Sequence, residues 1–124
     1  MMYLPHKYLL KALVSKIKSL GYKMDNSFPR VEIHSWDTTP EGEKTLVDWA
    51  CTCIIEVISN TTDVAESLTI MEGIRDGINE TMTVEHFTLW NVTWEMLSQY
   101  EEIDDNNKTI WRQLQRTRFN VSKK

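Results

Sequence analysis

The chain has 124 residues, 41% hydrophobic and 26% charged, with a formal net charge of −4. That length supports one core rather than two and so one domain over residues 1–124. No run of eighteen apolar residues occurs, which excludes a helical membrane span.

Charge is unevenly spread. Residues 1–30 hold six basic residues against one acidic, residues 31–107 hold two against seventeen, and residues 108–124 hold six against none. Basic ends flank a strongly acidic middle. Such a chain either neutralises itself on folding or offers complementary surfaces to neighbouring copies, where charge sets register and orientation. The acidic majority repels phosphate, so tight nucleic-acid binding is not expected.

Residues 5–20 form the first predicted element, a helix. Pro5 suits its first turn, Leu9, Leu10, Leu13, Val14, Ile17 and Leu20 make an apolar stripe, and Gly21 fits just past its end. The N-terminus lacks the charged and apolar regions of a signal peptide, so synthesis in a reducing cytosol is expected. Val31 and Ile33 then start a short strand, followed by a polar turn from Asp37 to Gly42.

The next segment, 45–58, alternates at period two, with Val47, Trp49, Cys51, Cys53, Ile55 and Val57 on one face. Asp63-Val64-Ala65-Glu66 reads as a capping-box-like start to a helix over 64–79. Gly73 and Gly77 within it suggest close packing on a sheet, since each costs a helix interior about 1 kcal/mol. Residues 84–98 form a second long strand. Val84, His86, Thr88, Trp90, Val92, Trp94 and Met96 fall on one face, and Phe87, Leu89 and Leu97 on the other. An acidic turn, Glu101 to Asn107, leads to a last strand over 109–121, which sets Trp111, Gln113, Gln115, Thr117, Phe119 and Val121 opposite Ile110, Arg112, Leu114, Arg116 and Arg118.

The order α-β-β-α-β-β predicts an α+β fold: a mostly antiparallel sheet of about four long strands with two helices packed on it. Fourteen extended residues span roughly 46 Å, wider than a body of this size, about 35 Å across. Such strands must bend, carry bulges or project.

Little in the chain suggests catalysis. Cys51 and Cys53 supply two thiols where a closed zinc site needs four ligands, and His6, His34 and His86 lack ligand spacing. Buried, inert thiols and structural histidines are the expectation, with no cofactor and no metal. Glu101, Glu102, Asp104 and Asp105 lack the spacing of a calcium loop. Five Asn-x-Ser/Thr sequons, from Asn60 to Asn120, read as products of an Asn/Thr-rich composition. The five tryptophans all fall on predicted strands, as core or interface anchors.

Laid out in this order, the chain resembles the tail-terminator and tail-completion proteins of tailed bacteriophages, also called minor tail or head–tail joining proteins. The resemblance spans nearly the whole chain and is one of pattern. It rests on the helix around Tyr8-Leu9-Leu10-Lys11-Ala12-Leu13 leading into Phe28-Pro29-Arg30-Val31-Glu32-Ile33. It rests also on the strand ending Ile54-Ile55-Glu56-Val57-Ile58 before the helix from Asp63 to Ile78, and on the closing alternation from Trp111 to Val121.

The resemblance implies no catalytic residue. It implies a homo-oligomeric ring, hexameric or larger, in the neck or tail of a virion. Partners would be the portal, an adaptor or the tail tube, with DNA passing non-specifically and no membrane involved. The five tryptophans are atypical of the family. A ring protein of a short-tailed phage, or a bacterial cytosolic adaptor dimerising through its long strands, would share the same features. A small enzyme using His34 or His86 is the remaining alternative.

Two sets of residues are candidates for function in such a ring. Arg112, Arg116 and Arg118 would meet Asp48, Glu56, Glu66 and Glu72 of the next subunit. Asp37, Glu41, Glu43, Glu101, Glu102, Asp104 and Asp105 would supply an acidic, weakly adhesive channel.

Overall fold

The computed structural model describes residues 4–41, 48–61 and 63–124. Helix α1 (Pro5–Ser19) has Pro5 in its first turn and buries Leu9, Leu13 and Ile17 at four-residue spacing. It ends as its sequence predicts. Gly21 takes a φ of +91°, Tyr22 N donates to Ile17 O, and Gly21 N donates to Lys18 O. That pair of bonds is the Schellman closure, which favours glycine because no Cβ opposes the left-handed turn.

Four strands follow: β1 (Arg30–Glu41), β2 (Asp48–Ser59), β3 (Phe87–Ile103) and β4 (Thr109–Lys123), with helix α2 (Ala65–Gly77) between β2 and β3. The sheet is antiparallel throughout, in the order β1-β2-β4-β3. The expected fold class and element order are therefore observed. Both helices lie on one face, where Leu9, Leu13, Ile17, Met71 and Ile74 close over Cys51, Cys53, Ile55, Val57, Phe119 and Val121. Among the described residues no helix is long and apolar enough to cross a membrane.

Three expectations need correction. The segment Asp37–Glu41, expected in a turn, continues β1 and pairs with β2, from Asp37–Thr52 to Glu41–Asp48. A bulge between His34 and Asp37, with Ser35 at a φ of +59°, absorbs the irregularity. Pro40 is tolerated because β1 is an edge strand, whose outer N–H row needs no partner. The start of the strand expected over 45–58 lies, up to Val47, outside the described residues.

The second correction concerns β3, which starts at Phe87 rather than Val84 and runs on to Ile103. Its register slips twice, between Leu89 and Asn91 and between Trp94 and Met96. Each slip inserts one residue and exchanges the faces. Phe87 and Leu89 face the helices, pairing toward Lys123 and Val121, and so do Val92 and Trp94, opposite Phe119 and Thr117. Trp90 is the extra residue of the first slip and is half exposed. Strict alternation places Trp90 with Val92 and Trp94, and Phe87 with Leu89 on the opposite side. His86 precedes the strand at a φ of +69°, its ring edge-on to Tyr8 at 4.8 Å.

Third, the α2 glycines face the end of α1 rather than the sheet. A Cβ on Gly73 would fall 2.1 Å from Tyr22 Oη, and one on Gly77 would fall 2.7 Å from Leu20 Cδ1. They let the two helices' neighbourhoods approach closely. The capping box half forms: Asp63 Oδ1 accepts from Ala65 N at 2.9 Å, while Glu66 turns away to accept from Ser59 Oγ at 2.6 Å.

Candidate functional site on the open face of the sheet

The face of the sheet opposite the helices carries the chain's most organised polar structure. Glu56, on β2, is only 5% exposed. Its Oε1 lies 2.8 Å from His34 Nε2 on β1, and its Oε2 accepts from Arg112 Nη1 on β4 at 2.7 Å. Arg112 Nε donates to Glu102 Oε1 on β3 at 2.8 Å. A single chain of hydrogen-bonded polar groups, His34–Glu56–Arg112–Glu102, thus crosses all four strands. Beside it Arg30 Nε donates to Glu32 Oε2 at 2.7 Å. Burial works against the Arg112 charge, but the hydrogen bonds to Glu56 and Glu102 outweigh it and raise the guanidinium pKa above its ordinary value. Arg112 stays charged at any pH at which the protein is folded.

Register explains the assembly of this chain. Arg112 stands opposite Ile58 on β2 and Tyr100 on β3, so its long side chain reaches diagonally to Glu56 and Glu102. His34, just ahead of the β1 bulge, reaches Glu56 the same way. The charge pattern of the sequence makes Arg112 and Glu56 candidate partners across a subunit boundary. Both charges are instead satisfied within one chain, because β2 and β4 are sheet neighbours. His34 as a member was not legible, since only the register brings it there.

Ser35 Oγ lies 2.8 Å from His34 Nδ1, which with Glu56 gives a serine–histidine–carboxylate outline. Ser35 sits exposed on a bulge, open to solvent. The Arg112 guanidinium also competes for the carboxylate. These contacts orient the imidazole and tie β1 to the sheet.

The other candidate interface residues divide between the two faces. Arg116 is exposed on the open face, Arg118 half-buried there, and Asp48 accepts from Ser122 Oγ at the end of β2. Glu66 and Glu72 lie on α2, on the far side of the sheet, so they do not share a surface with the arginines. Glu72 is exposed beside Arg75, Asp76 and Trp94.

The acidic candidates for a channel also separate. Asp37 and Glu41 sit at the end of the sheet where Glu41 pairs with Asp48. Glu101, Glu102, Asp104 and Asp105 sit at the opposite end, in the β3–β4 hairpin. Glu43 lies outside the described residues.

Beneath α2, the helix-facing side of β4 is polar. Gln113, Gln115 and Thr117 are all buried, and Gln113 Nε2 donates to Ser67 Oγ at 3.1 Å. The signal was present in the sequence as polar residues at strand positions shared with Phe119 and Val121.

Among the described residues no cluster of three or more His, Cys, Asp or Glu is placed to hold a metal. Burial pushes the Cys51 thiol up to about 11, partly offset by Thr38, and Cys53 up to about 12, with Cys51 adding to the rise. Both stay protonated at neutral pH and react poorly. Labelling the native protein with a thiol reagent at pH 8 should therefore be at least about a hundredfold slower than after unfolding. The sign of the pH effect follows. An unfolded thiol ionises near its ordinary 9.0 and the folded ones only near 11 and 12. Their influence on stability is flat below pH 9 and unfavourable from there to about pH 12. A Cys51→Ala, Cys53→Ala variant should lose less stability over that interval than the wild type; equal alkaline loss and rapid native labelling would contradict the burial.

Fold and site together define a two-layer α+β domain with a helix-covered face and an open, charge-laced face. Among solved structures it is similar to a chain of a "Virion of native gene transfer agent (GTA) particle", with a TM-score of 0.71 over 96% of this chain and 99% of that one, at 12% identity. At that identity the likeness is one of fold. No protein-family model matches the chain, and no curated protein matches it.

Proposed function

We propose that the chain is a structural protein of a phage-like virion, one of several copies forming a ring in the neck or tail that terminates the tail or joins it to the head. The observation that carries this reading is the near end-to-end likeness to a chain of a gene transfer agent virion, with no large unmatched region on either side. An open sheet face stitched by a charged chain and a long strand exposed at the sheet edge are features suited to packing against neighbours. The neighbours would be further copies and the portal, adaptor or tail tube. DNA would pass through without sequence-specific contact, and no step of chemistry is assigned to the protein.

The experiment is particle composition. The chain, tagged and expressed in its own host, should co-purify with density-banded particles at a fixed low copy number relative to the major capsid protein. The exposed-site variant Arg116→Glu should fold with an unchanged circular dichroism spectrum yet fall at least about tenfold in particles. Arg112 is left intact because it belongs to the internal chain of charges. Absence of the wild-type chain from purified particles would overturn the proposal.

A further inference from the structure

Helix α1 presents two apolar strips, and the core uses one. Leu9, Leu13 and Ile17 are fully buried, whereas Leu10 and Val14 are half-buried and Leu4 is 60% exposed. These three line a shallow, open groove whose rim is His6, Lys7 and Lys11. The helix contains no acidic residue. The groove is apolar at its floor and basic at its edge.

The tip of the β3–β4 hairpin has the converse character. From Ser98 to Glu101, β3 is exposed on both faces, and Tyr100 and Ile103 are 43% and 62% exposed. Around them stand Glu101, Glu102, Asp104 and Asp105. Glu102 is engaged by Arg112, and Asp104 Oδ1 accepts from Asn106 N and Lys108 N within the turn. Glu101 and Asp105 are exposed, with no ion pair among the described residues. The turn is held in shape by Asp104 N donating to Lys108 O and by Asn107 at a φ of +61°, so little ordering remains to be done on binding.

These two surfaces cannot meet within one chain. The α1 groove lies near the start of β3, where Tyr8 packs on His86 and Phe87 and Lys11 Nζ lies 3.5 Å from Glu85. The hairpin tip lies at the other end of that seventeen-residue strand, roughly 50 Å away at ~3.3 Å per residue.

From this opposition we infer that the β3–β4 hairpin tip of one copy docks into the α1 groove of a second copy. Ile103, which shares a face of β3 with Glu101, covers Leu10 and Val14, and Glu101 and Asp105 face Lys7 and Lys11. A contact between two different patches is head-to-tail, and closes a ring where its rotation allows. The inference rests on the ring reading above and adds the surfaces that join the copies.

Two charge-reversed chains test it. One carries Lys7→Glu and Lys11→Glu, the other Glu101→Lys and Asp105→Lys; all four sites are exposed, so folding should be kept. Sedimentation velocity on the full chain at micromolar concentration should show an oligomer for the wild type. Each variant alone should need at least about tenfold more protein to assemble, equivalent to about 1.4 kcal/mol per contact. Mixing the two in equal amounts restores opposite charges at every junction and should recover assembly to within about threefold. Ile103→Asp alone should weaken assembly as well. Variants that assemble like the wild type, or a mixture that does not recover, would overturn the docking while leaving the ring itself intact. A wild-type chain that stays monomeric at ~100 µM would also overturn it, whereas particle composition separately decides the virion reading.

Discussion

Replacing Glu56 by alanine should lower the melting temperature by roughly 10 °C, with the loss visible in urea melts as well. Removing one member of a buried ion pair leaves the other's charge without compensation and costs about 3–5 kcal/mol. Arg112 keeps Glu102 and its side chain is 23% exposed, so the lower end, about 3 kcal/mol, is expected here. At a chain length between the two surveyed classes, each kcal/mol moves the midpoint by about 3–5 °C. His34 loses its acceptor at the same time, freeing β1 from the sheet's polar network. Glu56→Gln separates charge from hydrogen bonding, since it can still accept from Arg112 Nη1 but offers no negative charge. It should fall between the wild type and the alanine variant. A melting point for Glu56→Ala within about 2 °C of the wild type would show that the charged chain contributes nothing to the fold. Because this network binds β1, β2, β4 and β3 together, a chain weakened there should also assemble poorly, but for a different reason than the hairpin variants. The two causes separate by melting temperature.

How much of this was legible in the sequence varies by element. Helix α1 could be read to within a residue because its apolar spacing, Pro5 and Gly21 agree with one another, and each acts through local backbone geometry. Strand β2 was legible from alternation alone, since it pairs with β4 from Asp48–Ser122 to Ser59–Trp111 without a slip. β1 and β3 were less so. Both carry bulges, and a bulge has no reliable signature in a single sequence: one residue is inserted and every later side chain changes face. The Asp37–Pro40 stretch has the composition of a turn, yet at the sheet edge its poor strand propensity costs little and pairing with β2 prevails.

The charge asymmetry was also visible, but not which charges meet. Arg112 and Glu56 find each other through register within the sheet, which depends on the strand order β1-β2-β4-β3. That order reflects the crossover through α2, which lays β4 between β2 and β3. Nothing in the local sequence states it. The acidic loops were likewise counted together from composition, while the fold sets them at opposite ends of the sheet.

The bulges of β3 make the remaining prediction, a contrast between two tryptophans four residues apart. Strict alternation would give Trp90 and Trp94 the same environment. The slip at Trp90 instead leaves it half exposed, whereas Trp94 packs against the core with the Arg75 guanidinium 5.7 Å above its ring. Trp94→Ala removes apolar area from the seam between α2 and β3 and the cation–π contact with it. Full burial of an aromatic is worth about 3–5 kcal/mol on truncation, and a half-buried one should cost about 2–3 kcal/mol, with about a fifth of that from the arginine. Trp90→Ala removes a side chain that faces water and should change folding stability by less than about 0.5 kcal/mol. Denaturant melts of the two single variants measure the difference directly. Equal losses at both positions would mean that β3 runs without its first bulge and that Trp90 shares the core face with Trp94. If Trp90→Ala keeps its stability yet depresses assembly, the exposed ring belongs to a contact between subunits, as expected for a large aromatic left on a surface at a strand edge.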